Sequence, residues 1–139
     1  MELIRKHAEK IRFAIVGGAN TALDFILLFV FVAFGVDKIL ANYFSTGIAF
    51  IFSFFVNKSF TFKDKGGNVA KQFALFLIIT IIGLWVIQPL IILGITNAVA
   101  SLNWNESIVL FIAKLIATIA SLIWNYIFYS RLVFKKVGK

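Results

Sequence analysis

The chain has 139 residues, of which 61% are hydrophobic, 17% aromatic and 14% charged, with a mean hydropathy of +0.97 and a net charge of +8. A soluble domain is about half apolar and about a quarter charged, and the 17 Phe residues here exceed what so small a core can hide from water, so lipid must solvate much of the surface. The absence of Cys excludes disulfides, thiolate metal sites and cysteine nucleophiles, and leaves the redox compartment unread.

A spanning helix needs about 20 mostly apolar residues. Four stretches qualify, at about 11–35, 39–57, 71–96 and 107–130, in one membrane domain covering 1–139. Basic tails at 1–10 and 131–139 flank them. The first apolar run is too long for a cleaved leader and no A-x-A-like site follows it, so it reads as a retained helix. Gly66, Gly67 and Asn68 mark a turn in the middle loop. Pro89 is expected to kink the third helix towards its outer end. Trp104 and Tyr129 fall near the predicted interfaces, where amphipathic rings commonly sit. His7, alone among basic neighbours, reads as a surface residue.

Charge sets the orientation. Twelve of the 14 Lys and Arg lie in the N-terminal tail and the start of the first helix, the middle loop and the C-terminal tail. All of these fall on one side of a four-span arrangement, with Lys38 alone on the other and Lys114 inside the membrane. The basic side is therefore cytoplasmic and holds both termini. The charges cap apolar spans, so anionic headgroups suit them better than nucleic acid.

The sequence repeats internally. Residues 41–63, ANYFSTGIAFIFSFFVNKSFTFK, align without a gap with 113–135, AKLIATIASLIWNYIFYSRLVFK, at an offset of 72. RFA at 12–14 aligns with QFA at 72–74 at an offset of 60. The fold expected is an all-α integral membrane protein, four transmembrane helices built from two parallel two-helix repeats. In some transporters such repeats place a site at their interface.

Polar residues recur at helical spacing. Lys114, Thr118, Ser121 and Asn125 share one face of the fourth helix, and Asn42, Thr46, Ser53 and Asn57 share one face of the second, with Ala49 between. Gly17, Asn20 and Asp24 make a shorter stripe on the first helix. On the third, Thr80 aligns with Asn20 and Leu84 replaces the acid. Hydroxyls and amides in such places bond helix to helix, at about 0.6 kcal/mol each. Charges differ: one deep in a span costs at least ~2.5–3.5 kcal/mol and is functional by default. At the helical rise, Lys114 sits roughly 10 Å and Asp24 roughly 15 Å below the outer ends of their helices. Those depths allow a pair, direct or through water. A lipid phosphate crossing a bilayer needs such a cation, and Lys suits it as a point charge with three donors. Asn and Ser suit sugar hydroxyls.

Three stretches resemble one family. RFAIVGGANTALDF at 12–25 carries a G-x-x-N-T-x-x-D pattern, FFVNKSFTF at 54–62 an N-[RK]-x-[FW]-T-F signature, and AKLIATIASLIWNYIFYSRLVF at 113–134 a Lys, a W-N pair and a closing [RK]-x-V-F. With four spans, this resembles the GtrA-like family, implicated in moving polyprenyl-phosphate-linked sugars across the membrane for cell-surface glycosylation. The resemblance implies roles for Asn20, Asp24, Asn57, Lys58, Lys114, Asn125 and Arg131. It also implies a flippase of the cytoplasmic membrane. Tyr129 and Ser130 depart from the pattern, standing where the second repeat often ends in an Asn–basic pair. Lys58, Lys63, Arg131 and Lys135 would form a cytoplasmic collar that gathers the lipid phosphate.

Two other functions fit the residues less closely: a small proton-coupled multidrug-type exporter working through Asp24, and a non-transporting anchor for a glycosyltransferase. No nucleophile–base pair, metal cluster or phosphate loop can be assembled, so neither enzyme activity nor cofactor is expected. Four helices are few for enclosing a path, which points to a homo-oligomer or a glycosyltransferase partner.

Overall fold

The computed structural model describes residues 2–134. These are all helical or loop, with no strand among the described residues. Four spans are long and apolar enough to cross a membrane: His7–Ala33, Leu40–Thr61, Val69–Leu102 and Glu106–Val133. The chain forms two compact units that divide between Gly67 and Asn68.

The first unit is a helical hairpin. Helix α1, Glu2–Ala33, starts nine residues ahead of the apolar run, because the polar residues before it are good helix formers. At its end Gly35 takes φ +84°, its N–H bonds Val32 O at 3.0 Å, and Val36 N–H bonds Phe31 O at 3.0 Å. This left-handed cap satisfies carbonyls that the last turn leaves open. Asp37 opens the next helix, its Oδ1 accepting from Leu40 N–H at 3.4 Å. Helix α2, Lys38–Val56, packs along α1. Its buried line is Ala41, Ser45 and Ala49, each at most 2% exposed. Such small residues let two helix backbones approach closely.

Helix α2 widens into a π-helical turn, Asn57–Thr61, closed by Phe62 N–H to Asn57 O at 2.9 Å. Phe62 packs on Phe13 of α1 with centroids 6.3 Å apart. Lys63 then takes a left-handed φ of 53°, which brings Asp64 N–H to Lys58 O at 2.8 Å.

The second unit starts at Asn68, whose side chain caps α3, Val69–Ile82, through Lys71 N–H. A π-helical turn, Gly83–Ile87, joins α3 to α4, Gln88–Ala98. Pro89 lacks an N–H and its ring crowds the carbonyl four residues back. The helix accommodates it by this widened turn just ahead, closed by Gln88 N–H to Gly83 O. A 3-10 turn, Ala100–Leu102, and left-handed Asn103 lead to Asn105, which caps α5, Glu106–Phe128. Glu106 sits in that first turn, where a negative charge suits the helix dipole.

Helix α5 packs on α4 and on the π-helical turn before it, and its Ala113, Ala117, Ser121 and Asn125 are buried. It ends in a third π-helical turn, Tyr129–Val133, at an offset of 72 from the one at Asn57–Thr61. Tyr129 is not the interfacial ring its position suggests. It is 3% exposed, stacked on Phe76 of α3 at 4.3 Å, with its hydroxyl bonded to Thr80. The outward surface is apolar: Phe34, Trp85 and Phe111 are each at least 70% exposed.

Candidate functional site

Each unit contains a buried polar line. In the first, α1 lends Asp24, whose Oδ1 accepts from Ser45 Oγ at 2.6 Å and Thr46 Oγ1 at 3.3 Å. Ser45 is fully buried, so its hydroxyl shields and holds the carboxylate. Asn42 lies on the exposed side of α2 and contributes its backbone carbonyl to Ser45. Further in, Asn57 donates to Ser53 O at 2.9 Å and Ser53 Oγ at 3.2 Å. Asn57 Oδ1, Thr61 Oγ1 and Asn20 Oδ1 are buried without a hydrogen-bond partner. A buried acceptor left open is costly, which marks these positions for a ligand or water.

The expected basic collar divides on inspection. Lys58 Nζ lies 3.1 Å from Asp64 Oδ2 and 2.6 Å from Gly66 O, while Asp64 Oδ1 accepts from Gly66 N–H. Its ammonium, on a side chain 14% exposed, is thus paired within its own loop and locks the chain reversal after the π-helical turn. Arg12 also works structurally, donating through Nε and Nη2 to Thr61 O. Lys63 and Arg131 are exposed. Lys135 and the rest of the 131–139 tail past Phe134 lie outside the described residues.

The second unit holds the cation. Lys114 Nζ donates to Gln88 Oε1 at 2.8 Å, and Gln88 Nε2 donates to Ser121 Oγ at 2.8 Å. Ser121 in turn donates to Thr118 O at 3.0 Å, and Thr118 Oγ1 to Lys114 O. Gln88 is 5% exposed. One turn further along α5, Asn125 Oδ1 is buried with no partner. A Cβ on Gly83 would come within 3.1 Å of that oxygen. Gly83 therefore gives the Asn125 amide its room, and the π-helical turn that starts there presents Gln88.

Lys114, Thr118, Ser121 and Asn125 lie on one face of α5, and Asp24, expected near Lys114, accepts from Ser45 and Thr46 of α2. Two contacting residues escape a reading by stripes. Ser45 belongs to the line 41-45-49, which joins the chosen stripe only at Ala49; its signal is small residues recurring every fourth position. Gln88 is legible only as a polar residue beside Pro89 in an apolar helix. Asp24 and Lys114 are each held by partners within their own unit. Among the described residues, no group of His, Asp or Glu gathers in a way that could hold a metal ion.

A family model described as GtrA/DPMS, transmembrane domain, matches residues 12–136. The chain belongs to this family. With four spans, it is a multi-pass membrane protein. A search of curated proteins returned no match.

Proposed function

We propose that the protein moves a polyprenyl-phosphate-linked monosaccharide across the cytoplasmic membrane for cell-surface polysaccharide glycosylation, with the phosphate held by Lys114. The observation that carries this is the partner of Lys114. Within an apolar span its ammonium is hydrogen-bonded to a neutral amide, Gln88, which orients the charge without cancelling it. A cation so placed favours an incoming phosphate, for which it is a compact donor of three hydrogen bonds. Asn125 Oδ1 is an open acceptor on the same face and suits a sugar hydroxyl. The prenyl tail remains in lipid. Family membership supports the substrate class.

The two units fit the parallel repeat, with both termini on the cytoplasmic side. In support, each holds a buried line of four-residue spacing and a π-helical turn at the matching place. A homo-oligomer or a glycosyltransferase partner would complete the path. The exporter reading has less support, because Asp24 already accepts two hydroxyl hydrogen bonds. The anchor reading draws on the family description, a transmembrane domain.

The test is headgroup accessibility of a polyprenyl-phosphate sugar in sealed proteoliposomes. Exchange in the wild type that Lys114→Ala abolishes is the expected outcome. Exchange that survives Lys114→Ala contradicts the phosphate site, and no exchange in either favours the anchor.

A further inference from the structure

The chain Lys114–Gln88–Ser121 has a direction. Lys is a donor only, so it fixes the Gln88 amide with Oε1 towards the ammonium. Nε2 must then face Ser121 and donate to it. With one lone pair so engaged, Ser121 directs its single proton to Thr118 O. That proton is unavailable to Asn125 Oδ1, which has no partner. The direction of the whole chain is therefore dictated by whatever faces Gln88 at the Lys114 end.

We propose that Gln88 is a second ligand of the phosphoryl oxygens, reached by reversal of its amide when an anion takes Lys114. This rests on the assignment of the phosphate to Lys114. An anion beside the ammonium replaces Oε1 as the acceptor and repels it. A half-turn about the terminal side-chain torsion, which is soft and roughly two-fold, points Nε2 at the anion and Oε1 at Ser121. Ser121 then turns its proton from Thr118 O to Oε1. Every group in the chain remains satisfied in both states, so reversal exposes no buried polar atom. Both ends of the amide already sit at hydrogen-bonding distance from their partners, and Gln88, itself 5% exposed, meets the exposed Lys114 at one end, where an anion can arrive. Gln88 is thereby the residue that holds Lys114 when the site is empty and shares its ligand when the site is filled.

The shared chemistry is a phosphate oxygen, from a lipid-linked phosphate or a free one. The test uses the full chain with 15N in its glutamine side chains, in galactolipid bilayers that hold no phosphorus of their own. Gln72 and Gln88 are the only two glutamines, so Gln72→Asn leaves a single signal. Farnesyl phosphate and inorganic phosphate are added in separate arms. The expected result is 15N–31P dipolar dephasing of Gln88 Nε2, consistent with an N···P distance of about 4 Å across one hydrogen bond. Dephasing by farnesyl phosphate alone assigns the site to a lipid-linked phosphate, and dephasing by both shows that phosphate suffices. Gln88→Leu is expected to weaken farnesyl phosphate binding about tenfold to a hundredfold, the loss of one charge-assisted donor. Binding that depends on Lys114 but leaves Nε2 undephased overturns this proposal alone. Binding unchanged by Lys114→Ala, or no binding, overturns the phosphate assignment and this proposal with it.

Discussion

The two units carry the same buried line and fill it with opposite chemistry. From α2 into its π-helical turn it runs Ala41, Ser45, Ala49, the half-buried Ser53, and Asn57. From α5 into its own turn, at an offset of 72, it runs Ala113, Ala117, Ser121, Asn125, Tyr129. In the first unit the preceding helix supplies an acid, Asp24, which hydroxyls of α2 satisfy. In the second, Leu84 stands where Asp24 does, and the polar group appears one turn later as Gln88, bonded to a cation on α5. That displacement coincides with the π-helical turn and Pro89, which α1 lacks. One half thus gives a half-buried acid two hydroxyl donors, while the other gives an exposed cation a neutral amide acceptor.

The sharpest break in this comparison is expected at the π-helical turns that follow α2 and α5. Lys58→Ala takes the Lys58 ammonium away from Asp64, whose side chain is 2% exposed. Breaking a buried ion pair costs up to about 3–5 kcal/mol, and Asp64 keeps the Gly66 N–H, so a clear drop in the melting temperature of the purified protein is expected. Ser130 occupies the matching place and bonds only Ile127 O; Ser130→Ala should cost no more than about 1 kcal/mol. Equal losses at the two sites would remove the asymmetry.

Next in size is the line itself. Asp24→Ala removes the charged acceptor of Ser45 and Thr46 and should cost about 1.5–3 kcal/mol, read from the same melt. Tyr129→Phe keeps the stack on Phe76 and loses only the Thr80 bond, at about 0.5–1.5 kcal/mol. The smallest effects separate two glycines. Gly47 has open space around an added Cβ, so Gly47→Ala should be neutral or stabilising by up to about 1 kcal/mol. Gly83→Ala meets Asn125 Oδ1 at 3.1 Å and should displace that amide. A melting temperature raised by both substitutions would show that Asn125 needs no such room.

The four spans were legible because length and apolar runs alone decide them. The start of α1 was not: residues 2–10 look like a basic tail, yet helix propensity carries on where hydropathy stops. The three π-helical turns left almost no mark, since a single widened turn shifts the register by one residue without changing composition. Only Pro89 announced one of them. Lys58 looked like one more cytoplasmic cation because Asp64, six residues on, reaches it only through the widened turn and the left-handed Lys63. Polar type picked out Lys114, Ser121 and Asn125, which share one helix. It passed over Ser45 and Gln88, whose importance lies in the partner each meets across a helix pair.

The central claim is that the anion is received by the cation of the second unit and not by the acid of the first. Headgroup exchange in proteoliposomes, compared between Lys114→Gln and Asp24→Asn, tests it most directly. Both changes preserve hydrogen-bonding capacity while removing a charge. The account predicts that Lys114→Gln abolishes exchange and that Asp24→Asn retains a substantial part of it. Exchange lost in Asp24→Asn and kept in Lys114→Gln would contradict it and return the exporter reading to the front.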